Sequence, residues 1–320
     1  MLMALNIVLN VVVNYTMTNK TLISIVGPTA IGKTSLSIAL AKHFKTEIIS
    51  ADSRQFFKEM QIGTAAPTPY ELQEAPHHFI HHKSITDNYN VGTFETDALT
   101  KLEELYKKHH VIIMVGGSGL YVDAVTKGLD DFPKVDSTIR KSLTETFNKD
   151  GLLPLQKQLE VLDPKTYKMI AIDNPHRVMR ALEICIGTGK PYSSFINKKK
   201  SNRPFQTISI GLTADRKIIY DRINQRVDNM MEEGLLDEVK SLNQHRNLNS
   251  LNTVGYKELF NYLDNEWTLE FAVSEIKKNS RRFAKRQLTW FRKDETIQWF
   301  DFECKLDTII DYIDRKLISS

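Results

Sequence analysis

The stretch Leu22-Ile23-Ser24-Ile25-Val26 runs directly into Gly27-Pro28-Thr29-Ala30-Ile31-Gly32-Lys33-Thr34, an apolar segment opening into the pattern G-x-x-x-x-G-K-T. An apolar run of this length, bounded by Gly-Pro, reads as a buried parallel strand. A Gly-rich turn between such a strand and a helix lets successive backbone N–H groups converge on an anion. Lys33 supplies a point charge for the outer phosphates, and the Thr34 hydroxyl is a magnesium ligand. Gly27, Pro28, Thr29, Ala30, Ile31, Gly32, Lys33 and Thr34 are therefore expected to bind a phosphorylated ligand with Mg2+. The motif leaves open whether the phosphates belong to a nucleotide and what is done with them.

Outward from the loop, Leu36, Leu40, Ala41 and Phe44 space a helix over 33–44. A second strand, 47–50, ends at Ala51-Asp52-Ser53-Arg54-Gln55; a helix over about 92–109 leads to a third strand, 111–115, which ends at Gly116-Gly117-Ser118-Gly119. Strands alternating with helices predict an α/β fold, a P-loop doubly wound parallel sheet with its chemistry at the carboxyl ends of the strands. From about 131 to 204 the texture is helical and broken at Gly151, Pro154, Pro164 and Pro175, which reads as a helical insertion domain between core segments 17–130 and 205–320. A strand over 207–212 and a long helix over 215–242 follow, then a last helical block to about 294.

The chain has 320 residues, 41% hydrophobic and 26% charged, which suffices for one large or two modest domains. A net charge of +4 is small, so a nucleic-acid surface must come from where the charges sit. Cys185 and Cys304 fit no zinc or redox spacing and suit a reducing cytoplasm. Residues 1–19 carry no charge, and their apolar stretch from Ile7 to Val13 is shorter than the roughly 20 residues of a membrane helix and lacks a signal peptide's basic flank. No membrane association is expected. Met17, shortly before the first strand, is expected to be the natural start, with 1–16 an upstream extension.

Three constellations beyond the loop carry chemistry. Asp52 directly follows the second strand, which places its carboxylate at the edge where the loop lies; it can bind substrate, take a proton, or simply cap a turn. The third strand closes on glycines, where ATP-hydrolysing P-loop proteins place an acid for magnesium and water. Ile219, Ile223, Arg226 and Met230 share one helix stripe with Arg222 beside it, so Arg226 faces inward and needs an anion, either a core carboxylate or the phosphates of the loop. Finally, Lys277, Lys278, Arg281, Arg282, Lys285, Arg286, Arg292 and Lys293 are interrupted by no acid and interleaved with Phe283, Trp290 and Phe291. With Lys198, Lys199, Lys200, Arg203, Arg177 and Arg180 they suggest a groove for an RNA backbone, against the alternative of a solvated cationic face. The histidines His77, His78, His81 and His82 lack the carboxylate or cysteine pattern of a metal site and read as structural or substrate-lining.

These segments together resemble the tRNA dimethylallyltransferases, over about 19–294. The resemblance rests on G-P-T-A-I-G-K-T at Gly27, A-D-S-R-Q at Ala51, I-G-T-A at Ile62, P-H-H at Pro76, G-G-S-G-L-Y at Gly116 and N-P-H-R-V-M-R-A-L-E at Asn174. R-I-N-Q-R-V at Arg222, M-E-E-G-L-L-D-E-V at Met231, V-G-Y-K-E at Val254 and A-K-R-Q-L-T-W-F-R at Ala284 extend it. It implies prenyl transfer from dimethylallyl diphosphate to the N6 amine of adenosine-37, in the anticodon stem-loop of tRNAs reading codons that begin with U. Asp52 matches the family's catalytic aspartate, with Lys33, Thr34 and Ser118 in the same site and Arg222 and Arg226 on the diphosphate. By the same resemblance Asp52, Ser53, Arg54, Gln55, Ser118, Arg140, His176, Arg177, Val178, Met179, Arg180, Leu251, Asn252, Thr253, Val254, Gly255, Tyr256, Lys277, Lys278, Arg281, Arg282, Lys285 and Arg286 would contact tRNA. Ser118 stands where the family commonly has threonine, and His81-His82-Lys83 departs from the acidic residue often found there. The zinc finger of eukaryotic members is missing, which implies the bacterial type, expected to be cytoplasmic and monomeric. A small-molecule kinase leaves the basic block unexplained, and a non-catalytic RNA-binding module leaves Asp52 idle.

Overall fold

The computed structural model describes residues 20–196 and 202–319. The expected extension at 1–16 and the basic run Lys198, Lys199 and Lys200 lie outside the described residues. Two compact units form: one joins the chain up to Thr126 with the chain from Arg203 onward, and the other is Lys127–Asn202. The insertion thus begins and ends a few residues before the 131–204 expected from the sequence.

The first unit opens with β1 (Thr21–Val26), α1 (Lys33–Phe44), β2 (Ile48–Ser50), α2 (Pro69–Glu74), β3 (His77–His78), α3 (Val91–Leu105), β4 (Val111–Val115) and α4 (Gly119–Thr126). The insertion holds α5 (Ser137–Asp150), α6 (Leu153–Leu162), α7 (Pro164–Met169) and α8 (Pro175–Thr188). The first unit resumes with β5 (Gln206–Thr213), α9 (Arg216–Glu232), α10 (Leu235–Ser241), α11 (Tyr256–Leu263), α12 (Leu269–Phe291), β6 (Gln298–Asp301) and α13 (Leu306–Ile318). The sheet is parallel throughout, in the order β3-β2-β4-β1-β5-β6. β1 lies between β4 and β5 with all six residues buried, which is why it reads as a continuous apolar run.

Successive residues of the central strands serve opposite faces. Leu22, Ile112 and Met114 pack with Phe94, Ala98 and Leu102 of α3 and Val122 and Val125 of α4. Ile23, Ile25, Ile113 and Ile210 pack with Leu40 and Ala41 of α1 and with Ile309, Ile310 and Ile313 of α13. The register sets the site: Ile25 of β1 and Ser50 of β2 both stand opposite Val115 of β4. The phosphate loop, the Asp52 segment and the Gly116 turn therefore leave the sheet at one level. The turn presses close, since a Cβ on Gly116 would lie 2.5 Å from the Ala51 carbonyl oxygen.

Several elements differ from the sequence reading. The helix expected over 215–242 is two helices, α9 and α10, because Gly234 takes φ 100°, a left-handed value that glycine reaches without a Cβ clash. α2, β3, α4, β6 and α13 are additions to the expected elements; β3 has only two residues, and Q-W-F-D of β6 lacks an apolar run.

A further core joins α9 to α12 and the segment after β2, through Phe57, Met60, Val227, Leu235, Val239, Leu251, Tyr256 and Leu259. One carboxylate fastens it. Glu238 of α10 accepts from the N–H groups of Gln61 at 2.9 Å, Ile62 at 2.8 Å and Gly63 at 2.9 Å, and from the Tyr256 hydroxyl at 2.6 Å. Tyr256 is 0% exposed, and a Cβ on Gly63 would meet its ring at 2.5 Å. The motifs I-G-T-A, M-E-E-G-L-L-D-E-V and V-G-Y-K-E are thus three parts of one joint. In the insertion, Leu143, Leu155, Leu159, Val178, Met179 and Leu182 form a separate core.

Glu238→Ala leaves three backbone donors and a buried phenol without their acceptor, so unfolding free energy should fall by roughly 2–4 kcal/mol. Urea titration of wild type and variant measures the loss, and a change under about 0.5 kcal/mol would contradict the role given to this carboxylate.

Candidate active site at the carboxyl edge of the sheet

The phosphate loop is built from its two ends. Val26 delivers the chain from the middle of the sheet, and Gly32, at φ 105°, turns it into α1 at Lys33. The first turn of α1 contains no acidic residue, so its unpaired N–H groups and dipole act unopposed. Lys33 is half-buried and donates from Nζ to the Pro28 carbonyl oxygen at 2.8 Å. Burial first, then the neighbouring Arg226, depress its pKa to about 8 from an ordinary 10.5, while Asp52 pulls it back up. Asp52 and Lys33 therefore lie within electrostatic reach of each other.

Arg222 and Arg226, one helical turn apart on α9, both reach the loop. Arg222 Nε donates to the Ala30 carbonyl oxygen at 2.8 Å, and an Arg226 guanidinium nitrogen lies 3.4 Å from Thr29 Oγ1. The stripe that buries Ile219 and Ile223 continues through Val227, which leaves Arg226 half-buried at its edge. Burial, then Arg222, lower the Arg226 pKa. Of the two partners left open by the sequence, a core carboxylate or the phosphates, no carboxylate pairs with either arginine among the described residues. Positive charge gathers here without an ion-pair partner.

On the other side of the loop, Asp52 Oδ1 accepts from the Arg54 N–H at 3.0 Å, the turn-capping contact that the sequence reading set beside a chemical role. Arg54 and Gln55 hold the segment. The Arg54 guanidinium donates to the carbonyl oxygens of Asn249 at 3.1 Å and Asn252 at 3.4 Å, and the Gln55 amide donates to those of Thr64 at 3.3 Å and Ala65 at 3.1 Å. Ser118 Oγ accepts from the Ser53 N–H and donates to Ser53 Oγ, each at 3.1 Å, tying the Gly116 turn to the Asp52 segment. Tyr121, which the sequence reading does not include, feels both Arg54 and Asp52, and burial pushes its phenol pKa up.

Thr34 fits a metal that arrives with its anion. Its hydroxyl stands at the loop end of α1, but β4 ends in glycines and no group of three His, Cys, Asp or Glu side chains suited to a metal exists among the described residues. A divalent ion here would take its remaining ligands from phosphate oxygens and water.

The basic helix is more partitioned than its sequence. At roughly 100° per residue its eight cations fall on one half of α12 or its continuation, opposite the buried Ala272, Ile276, Ala284, Gln287 and Phe291. Acids outside the block reach two of them: Lys277 pairs with Asp228 of α9 at 2.6 Å, and Lys278 with Glu275 at 2.7 Å. Arg281 donates to Asn224 and Arg282 to Asn279, Arg286 lies over the Phe283 ring, and Lys285 is exposed. The Arg203 guanidinium is held by the Glu95 carboxylate and the Ala124 carbonyl.

Other expected contacts narrow to backbone. Val178, Met179, Leu251 and Tyr256 are buried in cores, so their side chains cannot touch RNA, whereas His176, Arg177 and Arg180 on α8 are exposed. Arg140 and Arg180 share Glu183, at 3.6 and 3.2 Å. Asn252, Thr253, Val254 and Gly255 form the link into α11, and Gly255 N–H donates to Glu258. The histidines form no metal cluster: His78 pairs with Glu47 at 2.7 Å and His77 with the Ala75 carbonyl. His82 is ringed by Phe56, Phe79 and Tyr89, and burial and Lys83 lower its pKa to about 4.

A parallel sheet, a phosphate loop after its middle strand and an acid facing that loop from a nearby strand end define a P-loop α/β protein with a helical insertion. The family model described as IPP transferase matches residues 55–294, and the chain belongs to this family. It is 63% identical over 296 residues to the tRNA dimethylallyltransferase of Christiangramia forsetii, covering 92% of this chain and 98% of that one. It is 51% identical over 301 residues to tRNA dimethylallyltransferase 1 of Bacteroides fragilis, covering 94% and 100%. Among solved structures, the full-length tRNA isopentenylpyrophosphate transferase of Bacillus halodurans aligns with TM-score 0.69 at 41% identity, over 94% of this chain and 97% of that one. A eukaryotic dimethylallyltransferase acting on tRNA aligns with TM-score 0.74 at 27% identity, over 88% and 74%.

Below pH 8 Lys33 is charged in folded and unfolded chains, and the folded state bears its burial and the repulsion of Arg226. Between about 8 and 10.5 only the unfolded chain keeps the proton, so stability of the unliganded protein rises with pH in that window until the folded chain no longer carries the penalty. Lys33→Met should be at least as stable as wild type at pH 7, and its advantage should shrink as pH climbs through that window. Paired denaturant titrations at pH 7 and 9.5 read the difference; a pH-independent gap would contradict the depressed pKa.

Proposed function

We propose that the protein is a tRNA dimethylallyltransferase that moves the dimethylallyl group from dimethylallyl diphosphate to the N6 amine of adenosine-37 in tRNAs reading codons that begin with U. The observation that carries the reading is a group of cations, Lys33, Arg222 and Arg226, with no ion-pair partner among the described residues, around a phosphate loop that faces Asp52 and is followed by no acid directly after β4. A site that hydrolyses ATP needs a group to position water at that strand end. A site that releases diphosphate needs only to hold it.

In this reaction the amine nitrogen forms a bond to the first carbon of the prenyl group as the bond from that carbon to the diphosphate oxygen breaks. The amine proton goes to Asp52, and the electron pair of the broken bond leaves on the diphosphate. Lys33, Arg222, Arg226 and the α1 N-terminus stabilise the growing negative charge. Thr34 would hold a magnesium ion bound with the diphosphate, and that ion would supply further stabilisation of the negative charge. An adenine amine is a weak nucleophile, so the carboxylate must take its proton while attack develops. The adenine must also leave its stack to enter the site. The cationic half of α12 and His176, Arg177 and Arg180 of α8 are suited to the RNA backbone.

Asp52→Asn keeps an acceptor for the Arg54 N–H and removes the base. With unmodified tRNA, magnesium and labelled dimethylallyl diphosphate, the variant's turnover should fall on the order of a hundredfold or more with tRNA affinity preserved. Equal turnover would remove Asp52 from proton transfer. If wild type labels no tRNA but phosphorylates a small molecule from ATP, the site is a kinase. Replacing Arg281, Lys285 and Arg286 by glutamine should weaken tRNA binding and flatten the plot of log affinity against log salt by roughly 0.7–0.9 for each phosphate no longer neutralised. An unaltered slope would take α12 out of the RNA surface.

A further inference from the structure

Among the buried residues of α12, Ala272, Ile276, Ala284, Gln287 and Phe291, only Gln287 is polar. It is 5% exposed, and its amide is used at both ends. Oε1 accepts from the Thr29 N–H at 2.8 Å, and Nε2 donates to the Gly117 carbonyl oxygen at 2.9 Å. The same helix that turns its cations outward thus inserts one amide between the phosphate loop and the turn after β4.

The hydrogen bond falls on a particular peptide. The Pro28 carbonyl that accepts from Lys33 Nζ and the Thr29 N–H that donates to Gln287 belong to one peptide group, gripped from its two opposite sides. Rotating that peptide would break both bonds, so Gln287 holds the surface on which the Lys33 ammonium rests. The space is closely filled: a Cβ on Gly117 would lie 2.3 Å from Gln287 Nε2 and 3.7 Å from Lys33 Nζ. Gly117 is therefore the residue that makes room for the amide. Thr29 is also the residue whose side-chain hydroxyl Arg226 approaches, so the residue whose N–H Gln287 holds lies between the two cations.

We propose that Gln287 is a positioning residue for donor binding, one that orients the Pro28–Thr29 peptide and with it Lys33; the inference rests on the diphosphate-grip reading above. It acts through the loop and does not touch the donor. The test uses the full chain, inorganic diphosphate with magnesium as the probe, and unmodified tRNA as the control ligand. Gln287→Met removes both hydrogen bonds at similar volume, and Gly117→Ala displaces the amide without changing it. Each should weaken diphosphate binding about tenfold or more in calorimetry and raise the KM for dimethylallyl diphosphate in step. tRNA affinity should stay within about twofold, and the double variant should bind diphosphate no worse than the more impaired single one, because both act on the same pair of hydrogen bonds. Gln287→Glu, which keeps the acceptor for Thr29 and loses the donor to Gly117, provides a second variant should Gln287→Met fold poorly, and a loss of diphosphate affinity at least as large is expected of it. Unchanged diphosphate affinity in these variants, with binding abolished in Lys33→Met, overturns the role of Gln287 and leaves the grip standing. A lowered melting temperature with no selective loss of diphosphate affinity also overturns it. Failure of wild type to bind diphosphate overturns the grip and this inference together.

Discussion

Three cations, Lys33, Arg222 and Arg226, crowd the phosphate loop, and the site depends on how the fold holds them there. Burial lowers the basicity of Lys33 and of Arg226, the neighbouring Arg226 lowers that of Lys33 further and Arg222 that of Arg226, and no carboxylate pairs with either arginine among the described residues. Such an arrangement costs stability in the unliganded protein and is relieved by an anion. The fold around it supplies what that cost requires: a six-stranded parallel sheet with a core on each face, and a register that brings three strand ends level. The polar joints at Glu238 and Gln287 then hold the surrounding loops in place. Gln287 fixes backbone on which a cation rests, and Glu238 fixes the segment that follows Asp52.

The same logic separates the two roles of α12. Its inner side is packed by Ala272, Ile276, Ala284 and Phe291, and its outer half carries charge. Pairing of Lys277 and Lys278 with acids shows that part of that charge serves the fold, while Lys285 stays exposed. A cationic face seen in sequence overstates what is free for a ligand, because acids arrive from other elements. Asp228, nearly fifty residues upstream of Lys277, is such a case.

How much of this is legible in the sequence depends on how local the cause is. β1, α1 and β4 follow from apolar spacing and a Gly-rich turn, and their limits match the sequence reading to within a residue. The break at Gly234 is visible as a glycine but not as a left-handed one, since that choice is made by the packing of Leu235 and Val239 into a core with Tyr256. β3 and β6 are short edge strands whose identity comes from their neighbours. Asp52, Lys33, Arg222 and Arg226 are each identifiable by position after a strand, in the loop motif or on a helix stripe. Gln287 has a signal too, a polar residue on the apolar stripe of Ile276 and Ala284, but that signal says nothing of what the amide meets. Its partners, Thr29 and Gly117, are 258 and 170 residues away, a pairing no periodicity encodes.

The segment carrying Asp52 is fastened just beyond the carboxylate by main-chain oxygens: Arg54 grips the carbonyls of Asn249 and Asn252, and Gln55 those of Thr64 and Ala65. Every amino acid presents that same oxygen. The clamp itself therefore asks nothing of the side chains at those four acceptor positions, whereas it depends on the donors that Arg54 and Gln55 extend. The Asp52 carboxylate sits in a mount whose bolts are specific and whose sockets are generic.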